Sequence, residues 1–244
     1  MILLKEVEGF VISETAYGDS SKIINLLTRE GLIGILCKGA KSLKSPIRSV
    51  CTKYTYGKYI IYDKKDKTSI MKEGSVILDF YNIKNDIILI GYMTYLSDLV
   101  YQVVKQNNSS LIYDNFISAL KKIDEGMDPL IISNIFEIKM LDYLGVGINL
   151  NCCNNCGSTK NIVTINADLG GYICSFCYKG EYIYDAKTIK MIRMYKLVNI
   201  DTISDIKVNN NIKMEINRFL NIYYDRFTGL YLKSKKFLQE LTNM

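Results

Sequence analysis

Five of the chain's seven cysteines fall between Cys152 and Cys177, and four of them form two CxxC pairs, Cys153 with Cys156 and Cys174 with Cys177. Such a set can be a redox dithiol, a disulfide framework or a metal clamp. Seventeen residues separate Cys156 from Cys174, the gap of a four-cysteine zinc site. Each CxxC lets a tight turn aim two thiolates at one point about 2.3 Å away, and two such turns complete a tetrahedron. Gly157 suits the left-handed backbone that folds the chain back beneath the first pair. An iron or iron-sulfur site uses similar ligands. The dithiol reading is weaker, because a thioredoxin-like CxxC sits beside a βαβ pattern that this sequence lacks. Four sulfurs close the coordination shell, so a zinc ion here stabilises the fold and does no catalysis. Cys152 is the spare, since pairing it with Cys156 makes a looser CxxxC loop. Cys37 and Cys51 stand alone among strand-like residues and read as buried structural thiols.

The chain contains no histidine. That removes Ser-His and Cys-His nucleophile pairs, imidazole general bases and the usual zinc proteases and deaminases. Any metal must be held by sulfur or carboxylate. The "DKKDK" stretch, residues 63–67, offers two aspartates as conceivable magnesium ligands, but among lysines it reads more simply as a solvated hairpin tip.

Charge is concentrated. Between Lys38 and Lys72 there are ten Lys or Arg against Asp63 and Asp66, while the whole chain carries only +6. Outside that window the chain is slightly acidic. A confined basic zone is what phosphate binding requires, because neutralised phosphates release counterions. The alternative is a solvated surface in a Lys-, Ile-, Asn- and Tyr-rich chain. "KGAKSLKSPIR" places Lys38, Lys41, Lys44 and Arg48 among Gly, Ser and Pro, which reads as a loop free to follow a nucleic-acid backbone, and Lys53 and Lys58 follow. Tyr54, Tyr56, Tyr59 and Tyr62 lie close by and could stack bases, although strand tyrosines more often serve ordinary packing.

These residues need elements to hold them. Up to about residue 80 the pattern is of strands broken by turns, "VEGFVISETAYG", "SSKIINLLT", "LIGILCKG", "GKYIIYD" and "KTSIMKEGSVI", which suggests a small barrel. From Asp86 the apolar spacing becomes helical in "DIILIGYMTYLSDLVYQVV", "SLIYDNFISALKKI" and "DPLIISNIFEIKMLDYLG", with Pro129 suited to a first turn. Between the cysteine pairs "IVTI" and "GYIC" read as strands joined through "NADLGG". Helical spacing resumes in "AKTIKMIRMYKLV", "IKMEINRFLNIYYDRF" and "SKKFLQEL". The expected fold is therefore α+β and multidomain: a barrel over 1–80, a helical domain over 81–149 and 183–244, and a four-cysteine zinc ribbon inserted over 150–182. With 48% hydrophobic and 23% charged residues the chain is globular. Its most apolar run, Ile87 to Leu96, is too short and mixed for a membrane span, and the start lacks the pattern of a secretory signal. A cytoplasmic, nucleoid-associated protein with no membrane partner is expected.

Several stretches together resemble the RecO family of bacterial recombination mediators. "GFVISETAYGDSSKIINLLTREGLIGILCKGAKSLKS" is similar to the family's opening. "FEIKMLDYLGVGINLNCCNNCG" resembles its helix, Leu-Gly stop and first knuckle, aligning Cys153 rather than Cys152. "GGYICSFC" is similar to the second knuckle and "LYLKSKKFL" to the closing helix. Asp19 stands where the family commonly has Glu, and Ser42 and Leu43 stand where further cations often occur. The resemblance implies an N-terminal OB-fold barrel, a helical domain and a zinc ribbon, and no catalytic residue. It also implies binding to single- and double-stranded DNA, annealing of complementary strands, partnership with RecR and docking on the C-terminal tail of single-stranded DNA-binding protein. A tail of that kind needs an apolar groove with a cation, for which helix "NIFEIKMLDYL", with Phe136 and Lys139, is the candidate. The competing expectation is a zinc-ribbon adaptor that binds proteins and no DNA.

Overall fold

The structure is a computed structural model that describes residues 3–63 and 68–242; Lys64, Lys65, Asp66 and Lys67 of the "DKKDK" stretch lie outside the described residues. It is a mixed α/β protein with five strands in the N-terminal sheet and seven α-helices among the described residues. Cα proximity divides it into two compact units, Met1–Tyr81 with Ser97–Asp114, and Asn82–Leu96 with Asn115–Met244.

The first unit is built on β1 (Leu3–Tyr17), β2 (Ser21–Thr28), β3 (Gly31–Cys37), β4 (Tyr56–Asp63) and β5 (Ser69–Leu78). They form a closed barrel in the order β1-β2-β3-β5-β4, with β3 and β5 parallel and the remaining pairs antiparallel, which is the OB-fold arrangement. Long β1 makes closure possible, since its first half pairs with β4 and its second half with β2, with a register shift between Val11 and Ser13. Gly9 and Gly57 face each other across β1 and β4. Neither can carry a side chain: a Cβ on Gly9 would lie 2.6 Å from Leu26 Cγ, and one on Gly57 would lie 2.5 Å from the Ser75 carbonyl oxygen. Alternating residues such as Val11, Ile24, Leu26, Ile35, Tyr59 and Ile61 fill the interior, as the two-residue period of a strand dictates. Ala40, Ile47, Val50 and Cys51 from the β3–β4 connection complete that core.

The second unit is centred on α4 (Pro129–Tyr143), whose residues from Leu130 to Ile138 are all buried. A helix buried on every side belongs in the middle of a bundle. Asp128 caps it, accepting from the Leu130 and Ile131 amides, and Pro129 occupies the first turn. Around it lie α5 (Ala186–Leu197), α6 (Asn210–Phe227) and α7 (Lys233–Thr242). Most of α1 (Tyr81–Lys84), the first half of α2 (Ile87–Gln106) and the later part of α3 (Ser110–Asp124) also belong to this unit, while Ser97–Asp114 belong to the first. By length and composition α2 could cross a bilayer, which its first ten residues did not lead one to expect; more than half of its apolar window is buried inside the protein, as in a core helix.

The ribbon belongs to the second unit. β7 (Ile162–Asn166) and β8 (Gly171–Cys174) form the expected hairpin, and β6 (Asn149–Cys153) adds a parallel strand on the other side of β8. On α6, Phe219, Tyr223 and Phe227 recur every four residues and stack in sequence, with Tyr184 edge-on to Phe219. The Tyr223 hydroxyl donates to the Val146 carbonyl at 3.0 Å, fixing the chain just before β6.

Candidate metal centre and nucleic-acid interface

Strand ends and turns deliver the four thiols. At the first knuckle the Gly157 amide donates to the Cys153 carbonyl at 2.9 Å and the Cys153 amide to the Ser158 carbonyl at 2.7 Å. Gly157 has φ +75°, the left-handed value its position demands. The second knuckle repeats the turn, with the Cys177 and Tyr178 amides donating to the Cys174 carbonyl. As a result the sulfurs of Cys153, Cys156, Cys174 and Cys177 all lie within 4.8 Å of one another, with Cys156 and Cys174 at 3.6 Å. A tetrahedral ion with bonds of about 2.3 Å separates its sulfurs by about 3.8 Å. A disulfide, at about 2.0 Å, is not formed. Cys152 is outside the group, its thiol beside the Asn149 carboxamide at 3.6 Å.

The cluster's proton chemistry also suits a cation. Burial resists ionisation of Cys153, but the Cys174, Cys156 and Asn155 amides aimed at its sulfur bring it down to about 6. Cys177 is pushed up to about 12 by the neighbouring Cys156 thiol and by burial. Bare thiolates this close repel one another, and a bound divalent ion removes the conflict. The set fits a zinc site. Asn149 and Asn154, which residue-type reasoning passed over, support it: their carboxamides bond at 2.9 Å, Asn154 also reaches the Leu169 carbonyl, and its amide donates to Tyr172 at 2.7 Å. The Asn-rich run around the first CxxC was their only trace in the sequence.

On the barrel, the basic segment is not a free loop. It is a succession of turns pinned at both ends: the Lys41 amide donates to the Ser20 carbonyl at 2.8 Å, and the Tyr54 amide to Val11 at 2.8 Å. The Lys41 ammonium donates to the Gly18 carbonyl at 2.7 Å, so this half-buried lysine holds the segment against the β1–β2 turn. Lys38, Lys44 and Arg48 are exposed, and among the described residues they have no carboxylate within ion-pair distance. Lys53 lies 4.5 Å from the centre of the Tyr54 ring. Lys58 stands 4.0 Å from Glu6 and is partly neutralised.

Comparison with known proteins meets the same architecture at both ends. The family description "Recombination protein O N terminal" matches residues 1–80 and "Recombination protein O C terminal" matches residues 84–236. The chain belongs to the RecO family. It is 32% identical to the DNA repair protein RecO of Listeria monocytogenes serotype 4b (strain CLIP80459), over 98% of this chain and 95% of that protein. Similarity to the RecO of Bacillus subtilis (strain 168) is 30% over 99% and 96%, and to that of Halalkalibacterium halodurans 29% over 99% and 97%. Family membership places the chain in DNA repair and recombination.

In this RecO chain the strand tyrosines settle mostly as ordinary packing, and the partner candidate Phe136 needs correction. Tyr59 is fully buried and Tyr56 nearly so; the Tyr59 hydroxyl donates to the Val50 carbonyl and the Tyr56 hydroxyl to Glu8. Neither can stack a base: the strand period turns Tyr59 into the barrel core with Ile61, while Tyr56, on the opposite face of β4, is packed against Phe80, and only Tyr62 of the four is exposed. Phe136 is also fully buried, 6.2 Å from Phe116 ring to ring, so it builds the bundle and offers nothing to a partner. Lys139 is half-buried, and burial holds its ammonium below the ordinary value against the attraction of Asp142. Cys37 and Cys51 are buried free thiols, as expected of structural cysteines. They meet in the barrel core, where the adjacent Cys51 thiol and burial push Cys37 far up, and Cys51 lies 3.5 Å from the Met71 sulfur. Both thiols are inert packing groups.

Proposed function

We propose that this RecO chain is a non-catalytic DNA-binding mediator that grips sugar-phosphate backbones through the β3–β4 segment of its barrel. The observation carrying this reading is the set of Lys38, Lys44 and Arg48, exposed and without acidic partners among the described residues, on a segment anchored to the β1–β2 turn of an OB fold. OB folds use the loops at that end for single strands. Annealing then needs no reacting group. Cations lower the repulsion between two backbones, and base pairing supplies the specificity. With binding to both single- and double-stranded DNA, the chain helps load recombinase in company with RecR and the tail of single-stranded DNA-binding protein, acting in the cytoplasm; family membership supports these roles. The residues proposed to touch phosphate are Lys38, Lys44 and Arg48 first, with Lys53 beside them and Lys41 and Lys58 already engaged within the protein.

The proposed metal is structural zinc, held by Cys153, Cys156, Cys174 and Cys177. When bound, it supplies charge neutralisation and a cross-link between the two knuckles. The residues around it supply orientation, and the closed sulfur set leaves no position for substrate.

Titration of a fluorescent single-stranded oligonucleotide across a salt series tests the interface. Each phosphate contact adds about 0.7 to the log-log salt slope. Reversing Lys38, Lys44 and Arg48 to glutamate should lower affinity steeply and flatten the slope by about 2. Unchanged affinity and slope would transfer the case to a protein-only adaptor. Elemental analysis of the purified chain should return one zinc; iron with a visible charge-transfer band would favour the other four-sulfur reading.

A further inference from the structure

Apart from its basic segment, the first unit carries a pocket of the opposite charge. It has a volume of about 280 Å³ and is lined by Glu6 and Glu8 of β1, by Thr28, Arg29 and Glu30 at the β2–β3 turn, and by Tyr113 of α3. Glu6 and Glu8 stand two residues apart, so strand alternation puts both carboxylates on one face of β1, about 7 Å apart along the chain. The turn beside them is firmly held. The Thr28 hydroxyl donates to the Gly31 carbonyl at 2.9 Å and accepts from the Glu30 amide at 3.2 Å, and the Asn108 carboxamide donates to the Glu30 carbonyl at 2.7 Å.

The one cation of the lining is already engaged: Arg29 pairs with Asp114 at 2.8 Å and lies 5.9 Å from the Tyr113 ring centre. Lys5 reaches Glu30, and Lys58 stands 4.0 Å from Glu6, but neither lysine lines the pocket. Both Glu6 and Lys58 are more than half exposed, so water screens that pair heavily. Tyr113 is the most deeply buried lining residue, at 2% exposed, and its hydroxyl has no hydrogen-bond partner. The neighbouring Tyr56 phenol gives its own proton to Glu8. Burial first, and then the Tyr56 and Glu8 oxygens, push the Tyr113 phenol far above its ordinary pKa, as a locally negative field does. A buried hydroxyl left unmade in such a field is completed best by a donor that carries positive charge.

We infer that this pocket binds a short aliphatic diamine, one ammonium group donating to the Tyr113 oxygen and Glu8, the other to Glu6 or Glu30. Two ammonium groups on a flexible spacer match carboxylates about 7 Å apart on one strand face. A lysine side chain of another protein brings a single ammonium and leaves the remaining carboxylates unmatched. A metal ion is poorly served, because the cysteine set is the one group among the described residues whose ligand atoms converge on a common point. An anion would meet three carboxylates and a guanidinium already taken. This site goes beyond the proposed grip on DNA and does not depend on it.

Isothermal titration calorimetry of putrescine into the full chain at low ionic strength, without nucleic acid, tests it. One saturable site per chain is expected, and n-butylamine, with a single ammonium group, should bind about tenfold more weakly. Tyr113→Phe keeps the ring and removes only the hydroxyl; it should weaken putrescine about tenfold. Glu8→Gln leaves Tyr56 an acceptor and should weaken it by a similar factor. Putrescine should raise the unfolding temperature of the unmodified chain more than that of either variant, and both variants should retain zinc and oligonucleotide affinity. Absence of saturable binding, equal affinity for butylamine, or binding indifferent to Tyr113→Phe and Glu8→Gln overturns the site. Tighter binding of a blocked lysine peptide than of putrescine overturns the diamine and hands the pocket to a basic side chain of a partner. Magnesium bound at these residues in place of putrescine overturns it as well.

Discussion

A single buried ion pair shows how much one side chain can decide. Glu137, on the central helix α4, is 2% exposed, and its carboxylate meets the Lys235 ammonium at 3.1 Å. That ammonium lies 5.2 Å from the Tyr95 ring centre and 5.1 Å from that of Tyr224. Removing one partner strands the other charge away from water. Lys235→Ala should therefore destabilise the protein by about 3–5 kcal/mol in urea unfolding, whereas Glu137→Gln with Lys235→Met should cost far less. Equal losses in both would show that the pair matters only through packing. At the metal centre, Cys153→Ser should abolish zinc retention while Cys152→Ser leaves one zinc per chain. The four clustered cysteines were legible in the sequence because CxxC spacing is local geometry. Phe136 was misread because side-chain identity does not reveal which way a buried ring faces.

At the scale of elements, caps and close approaches set the stability. Asp128 both caps α4 and pairs with Lys213 at 2.6 Å. Asparagine caps as well as aspartate, so Asp128→Asn removes only the ion pair; Asp128→Ala removes both and should cost about 1 kcal/mol more. Thermal unfolding of the two variants separates the contributions. In the barrel, Gly57→Ala must displace the Ser75 carbonyl of β5, 2.5 Å from the added Cβ, a strain of about 1–3 kcal/mol. The five barrel strands and six longer helices followed their apolar periods. β6 did not, because "NLNCC" has no alternation of its own and becomes a strand only by pairing with β8. The β3–β4 segment read as loose for a similar reason: Ser, Gly and Pro suggest freedom, but Ala40, Ile47, Val50 and Cys51 tie it into the core.

Across the whole molecule, the two compact units carry different chemistry. The first holds an OB barrel with the unpaired cations, and the second holds a helical bundle with the sulfur cluster. Each has its own buried core, so stripping the metal with a chelator should remove amide-exchange protection across residues 149–178 and leave β1–β4 pairing protected. Simultaneous loss in both regions would mean that the zinc supports more than its own ribbon. The sequence by itself determined what short-range rules control: the strand and helix periods, the knuckle spacing, the lack of imidazole chemistry and the location of the charge surplus. Only the tertiary structure decided which lysines remain unpaired, which tyrosines and phenylalanines vanish into cores, and that Tyr113 joins Glu6, Glu8 and Glu30 around one pocket. Those outcomes depend on contacts between residues far apart in the chain, where burial and pairing are properties of the neighbours and not of the residue.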